Sequence, residues 1–187
     1  SVAGWTMFVL FFLGRSTGGL GLELHYANGA ASCEFTAREA FQGYAGMLHG
    51  GIITGILDEV MFWTVFMQTK KICATWKIEV EFQRPVAVEK SIGIQAFFSG
   101  AKNGDYLASG SIEDESGKSC AIGNASFRMM RGVNIEAFME YLDFRDVPLE
   151  IRTLIQTMKA SATEIYDELF SKVESKYAVV GIGYTPQ

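Results

Sequence analysis

From Gly51 to Met67 the chain reads GIITGILDEVMFWTVFM, an apolar stretch interrupted only by Asp58 and Glu59. That is too long for one strand, so the stretch predicts a helix. At 100° per residue, Ile52, Ile53, Ile56, Leu57, Val60, Met61, Phe62, Trp63, Val65 and Phe66 point all round the axis. Such a helix has no solvent face and must be covered on all sides, which makes it the centre of the core.

The flanking segments supply the cover. Leu20 to Tyr26 and Ala30 to Thr36 read as two strands joined at Asn28-Gly29, a dipeptide suited to the positive φ of a tight hairpin. Ala37 to Leu48 has no clean period and is expected to be a loop. From Ile72 to Phe82 the period becomes two, with Ile72, Ala74, Trp76, Ile78, Val80 and Phe82 on one face and Cys73, Thr75, Lys77, Glu79 and Glu81 on the other. This predicts a half-buried strand ended by Pro85. Ser91 to Ser99, Tyr106 to Glu113 and a segment ending near Met130 repeat the alternation at hairpin spacing. The order of elements calls for an α+β fold in which a curved antiparallel sheet wraps one central helix.

This domain is expected to span residues 1–131. Residues 132–187 read as a helical extension on the same domain, with a short helix over Asn134 to Tyr141 and a long amphipathic one from Ile151 to Val173.

With 187 residues, 49% of them hydrophobic, the chain is long enough for one real core. Its 16 basic against 21 acidic residues leave a net charge of −5, which argues against a nucleic-acid partner. Cys33, Cys73 and Cys120 are widely spaced and predict neither a disulfide framework nor a metal site. No charge-free apolar run reaches the length of a membrane span, the longest being Met7 to Leu13, so a reducing, cytoplasmic setting is expected.

Chemistry is expected where Gly46-Met47-Leu48-His49-Gly50-Gly51 opens the helix and where Asp58-Glu59 interrupts it. An unpaired buried carboxylate is costly, so one of the two is expected to have a chemical role, with Glu59 the one that is paired or solvated. The first N–H groups of a helix are unpaired and electropositive, and can hold a developing oxyanion. Asp58 lies nine residues beyond His49, roughly 13 to 14 Å along the axis. Reacting groups must converge within about 3 to 3.5 Å, so Asp58 cannot serve the start of its own helix. Two antiparallel helices across a two-fold axis can meet the requirement, which predicts a homodimer, or a dimer of dimers, with shared sites.

The runs YAGMLHGGIITGILDEVMFW and ATWKIEVEFQRPV, with the strands up to Phe127, resemble the hotdog-fold thioesterases of the PaaI type over about Leu20 to Met130. The resemblance implies hydrolysis of an acyl thioester such as acyl-CoA, without metal or other cofactor. It implies that His49, Gly50 and Gly51 form the turn whose backbone amide polarises the thioester carbonyl, and that Asp58 activates water or attacks directly. Relatives also use a Thr or Ser nine residues before the Arg of an R-P pair, which here is Thr75 ahead of Arg84, although an ordinary strand threonine fits the position equally well. Where others place an Asn six residues before the His, this chain has Gly43, with Gln42 beside it. Gln42, Gly43, Thr54 and Phe62 are the expected substrate contacts. Leu10 and Leu13 stand where a subgroup carries C-x-x-C, so no redox or metal role is implied there. A non-catalytic acyl-binding or regulatory module, or a hotdog hydratase or dehydratase, remain the competing readings.

Overall fold

The computed structural model describes residues 5–9, 20–131, 142–143, 153 and 157. Eight antiparallel strands, β1 (Trp5–Val9), β2 (Leu22–Ala27), β3 (Ala30–Thr36), β4 (Cys73–Phe82), β5 (Ser91–Lys102), β6 (Asp105–Asp114), β7 (Ser119–Met129) and β8 (Leu142–Asp143), form one sheet in the order β4-β7-β6-β5-β3-β2-β1-β8. One helix, α1 (Gly50–Thr69), lies against it. The expected central helix on an antiparallel sheet is therefore what the described residues form, with two strands more than the sequence reading found. β1 falls inside the apolar N-terminal stretch, which lacks the alternation that marks a half-buried strand.

The hairpin β2–β3 turns where expected, with Asn28 and Gly29 both at positive φ. The loop before α1 contains a single 3-10 turn, Glu39–Phe41. Of the extension, the described residues Thr153 and Thr157 are helical, and the Thr157 hydroxyl donates to the Thr153 carbonyl at 2.8 Å. The expected helices over 134–141 and 151–173 otherwise lie outside the described residues.

α1 is 20 residues long, long and apolar enough to cross a membrane by length and composition. The sequence reading missed this because the two carboxylates split the run. Here the helix packs on strands: Ile53, Ile56, Leu57, Val60, Met61 and Phe66 are all buried with Phe127, Ile112 and Ala96 of the sheet. The helix can lie close because Gly110 and Gly123, opposite each other on β6 and β7, leave room beneath it. A Cβ on either glycine would stand 3.2 Å from a Leu57 methyl. Thr64, the one fully buried polar residue among the described residues, is satisfied by donating to the Val60 carbonyl at 2.8 Å.

β4 departs from the expected pattern. Its pairing with β7 shifts between Thr75 and Lys77, a bulge that places one extra residue, Trp76, in the strand. The bulge resets the alternation: Thr75, though exposed, reaches Asp58 of α1, and Ile78 and Val80 pack on the core, while Ala74 and Trp76 are exposed with no such contact to the helix. The predicted face of Ile72, Ala74, Trp76, Ile78, Val80 and Phe82 is thus corrected. Trp76 stands on the outer side with the Arg128 guanidinium 4.1 Å over its ring, and Arg128 makes two bonds to Asp105, at 2.7 and 3.0 Å.

Replacing Gly123 by Val forces a branched side chain against Leu57 and Met61. Urea unfolding is expected to show a loss of about 1 to 3 kcal/mol, in line with overpacked cores. An unchanged midpoint would mean that helix and sheet are not closely seated.

Candidate active site

Two groups of predicted residues assemble at separate points along α1. At its start, His49 is the N-cap, and its Nδ1 accepts the Gly51 N–H at 2.9 Å. An accepting Nδ1 requires the proton of the neutral ring to sit on Nε2. The bond depends on Gly51 having no side chain, since a Cβ there would stand 3.0 Å from Nδ1. The His49 carbonyl takes the N–H groups of Ile52 and Ile53, at 2.9 and 3.1 Å. Of the first four N–H groups of α1, only that of Gly50 has no acceptor among the described residues.

Gly43 packs on the cap from the side, and a Cβ on it would meet His49 Cδ2 at 3.1 Å. A larger residue here would strike the imidazole. Gln42 is exposed, and its carboxamide oxygen accepts the Gly46 N–H at 3.0 Å, which ties the loop to itself. Thr54 sits one turn into the helix and donates to the Gly50 carbonyl at 3.0 Å.

Two turns further on, Thr75 Oγ1 donates to Asp58 Oδ1 at 2.6 Å. The bulge makes this contact by turning Thr75 toward the helix. Burial pushes the Asp58 carboxyl above its ordinary value, and the Thr75 hydroxyl partly offsets that by stabilising the charged form. The second carboxylate oxygen accepts no hydrogen bond among the described residues. Phe62, half-buried one turn beyond Asp58, has its ring 6.4 Å from that of Phe127, the β7 residue paired with Thr75.

Glu59 is paired, as one of the expected alternatives held. It accepts the Trp63 indole N–H at 2.8 Å. Burial, reinforced by the neighbouring Asp58 charge, pushes its carboxyl up to about 7 despite that bond.

A cavity of about 680 Å³ opens at the start of α1. Besides Gly43, Met47, His49 and Gly50 it is lined by Tyr44, Ile53, Phe82 and Val86, none of which the sequence reading assigned to a site. The Phe82 ring stands 3.4 Å from where a Gly50 Cβ would be, a contact between residues far apart in sequence that no local pattern signals. Asp58 does not line this cavity. A second hollow, of about 540 Å³, lies on the outer sheet face among Glu23, Glu34 and Glu113 and holds none of the predicted residues.

The raised Glu59 carboxyl favours the folded state while it is protonated and disfavours it once ionised. Its stabilising contribution is therefore full below about 4.5 and lost as pH rises through about 7. Glu59→Gln keeps an acceptor for Trp63 without the charge. Urea titrations are expected to find the variant more stable than the parent at pH 8, with the advantage shrinking towards pH 5; an equal difference at both would contradict the burial of this charge.

No protein-family model and no curated protein matches the sequence. Solved structures do. A thioesterase superfamily protein aligns at TM-score 0.55 and 19% identity over 59% of this chain, which spans only about half (54%) of that protein. PaaI of E. coli, from the phenylacetic acid degradation operon, aligns at TM-score 0.55 and 15% identity, over 60% of this chain and 81% of that one. A Streptococcus mutans protein bound to acetyl CoA aligns at TM-score 0.51 and 11% identity, over 66% and 88%. At these identities the likeness is one of architecture: the chain has the hotdog fold of the thioesterase superfamily structures, PaaI among them.

Proposed function

We propose that this chain hydrolyses acyl thioesters, with acyl-CoA as the substrate class, at two sites shared across a homodimer. The observation that carries the reading is the pairing of an open helix-start amide at Gly50 with a desolvated, Thr75-anchored carboxylate at Asp58. The acetyl CoA bound to the Streptococcus mutans protein of the same fold supports the choice of thioester.

The two halves lie eight residues apart, about 12 Å along the axis, so one chain cannot bring both to one carbon. β4 supplies the means of joining two chains. It is a ten-residue strand at the end of the sheet, and an exposed edge of that length is a template for another strand. Along it Thr75 is level with Asp58, and Phe82 with Gly50. With Trp76 bulged out of the count, antiparallel pairing of two β4 strands about a two-fold axis at Glu79 sets Thr75 opposite the partner's Phe82. The same operation carries Asp58 to the partner's Gly50. Lys77, ion-paired with Glu79 at 2.9 Å within one chain, then comes opposite the partner's Glu81.

In that arrangement the Gly50 N–H holds the carbonyl oxygen as it becomes an oxyanion. Asp58 takes a proton from the attacking water, or attacks the carbonyl carbon itself. The carbon–sulfur bond breaks and the thiolate takes up a proton to give the free thiol; the water route yields the acid at once, whereas direct attack leaves an anhydride on Asp58 that a water then hydrolyses to the acid and the free carboxylate. The Nδ1 bond of His49 holds the turn so that Gly50, not Gly51, presents its amide.

Asp58→Asn preserves shape and removes the base, so thiol release from an acyl-CoA panel is expected to fall a hundredfold or more, with stability unchanged or raised. Near-normal turnover would sink the mechanism. Because Asp58 must be ionised and its carboxyl lies above the ordinary 3.8, the acid limb of kcat/KM is expected above that value. Thr75→Val removes the donor to the charged form and should move the limb higher still. Sedimentation should find a dimer or a dimer of dimers; a fully active monomer would refute the shared site.

A further inference from the structure

Phe82 is the last residue of β4 and is 54% exposed, at the open edge of the sheet. Its ring is nonetheless anchored, with two carbons 3.4 and 3.5 Å from the Cβ position of Gly50. It therefore lies directly beside the amide that has no acceptor, and forms one wall of the 680 Å³ cavity with Met47, Ile53 and Val86. A ring in this place keeps water from one side of the amide, and a donor shielded from water acts more strongly on a developing charge.

The two-fold pairing of β4 gives the ring a second neighbour. Phe82 of one chain comes opposite the partner's Thr75, whose hydroxyl holds the partner's Asp58. The ring then stands between the oxyanion donor of its own chain and the carboxylate of the other, where the carbonyl and the first atoms of the acyl chain must pass. Phenylalanine has only two side-chain torsions, and here its ring lies over the space that Gly50 leaves open, so turning aside for a bulky group costs it that contact. The acyl carbons next to the carbonyl meet a flat, fixed obstacle.

We infer that Phe82 determines acyl specificity at the site completed by the partner's Asp58, admitting slim, unbranched acyl groups and excluding those branched or ringed next to the carbonyl. This rests on the thioesterase reading above. It adds a residue and a substrate class to it.

The test compares hexanoyl-CoA with 2-methylbutanoyl-CoA and benzoyl-CoA, after sedimentation has shown each variant to be assembled as the parent is. Phe82→Ala is expected to raise the kcat/KM ratio of the branched and aromatic substrates over hexanoyl-CoA on the order of tenfold or more, the scale on which apolar pockets discriminate. Phe82→Leu keeps apolar bulk at the edge, guards against a failure of Phe82→Ala to assemble, and should shift the ratio less. A uniform loss on all three substrates, with the ratio unchanged, would reduce Phe82 to a structural part and overturn the inference.

Mixed dimers locate the wall. One chain carrying Asp58→Asn and the other Phe82→Ala leave one active site, which pairs the Asp58 of the second chain with the Phe82 of the first. That hybrid is expected to keep the parent's preference for hexanoyl-CoA. A relaxed preference would mean that Phe82 serves the Asp58 of its own chain, against the inference. A parent protein that releases no thiol from any of the three would remove the thioesterase reading and this inference with it, a result distinct from an active enzyme whose ratio does not move.

Discussion

A helix as apolar as α1 needs a surface it can lie on without a gap, and Gly110 and Gly123 provide it. Their missing side chains let Leu57 and Met61 descend onto the backbone of β6 and β7. The depth of that seat sets the height of everything else on the helix. Residues pointing at the sheet are buried, and Asp58, about 100° round from Leu57, emerges at the side where β4 passes. With a shallower seat, Thr75 would not come within 2.6 Å of the carboxylate. The close contact of backbone and leucine is thus a condition for the polar contact beside it.

The two adjacent carboxylates of α1 show how one turn of helix can divide its roles. Both are partly withdrawn from water, and burial raises both. Asp58 has a hydroxyl donor on one oxygen and an open second oxygen, at the edge of the sheet. Glu59 is turned away to the Trp63 indole, carries no ion pair among the described residues, and feels the charge of Asp58. In the proposed reaction the first is the one that exchanges protons. The other stays protonated through the acid range, which spares the core a second negative charge.

Much of this was legible because it is written in short-range patterns. The Asn28-Gly29 turn, the continuous apolar helix, the alternation of β5 to β7 and the glycines after His49 each depend on residues a few positions apart. What was not legible depends on distant partners. The apolar and polar residues of Ile72 to Phe82 alternate without a break, so nothing local marks the bulge at Trp76; only the need to face both Thr75 and Ile78 towards α1 explains it. The contact of Phe82 with Gly50 joins the end of a strand to the start of a helix and has no local signature. β1 was missed for the opposite reason, since its surroundings are too uniformly apolar to show a period. Thr75 fitted two readings in the sequence, and its bond to Asp58 is a contact between distant residues that no local pattern signals.

The bulge also sets how β4 tolerates change. Because side chains alternate strictly along a strand, residue number is as much a part of its design as residue type. Substituting Trp76 alters a surface contact with Arg128 and leaves the rest of the strand in phase. Deleting it removes the extra residue, and one side of that point must then rotate by half a period, turning either Cys73 and Thr75 or Ile78 and Val80 away from the helix. Insertions and deletions here cut deeper than any exchange of one side chain for another, so across descendants of this sequence the spacing between Thr75 and Ile78 should prove more constant than the identity of the residues that fill it.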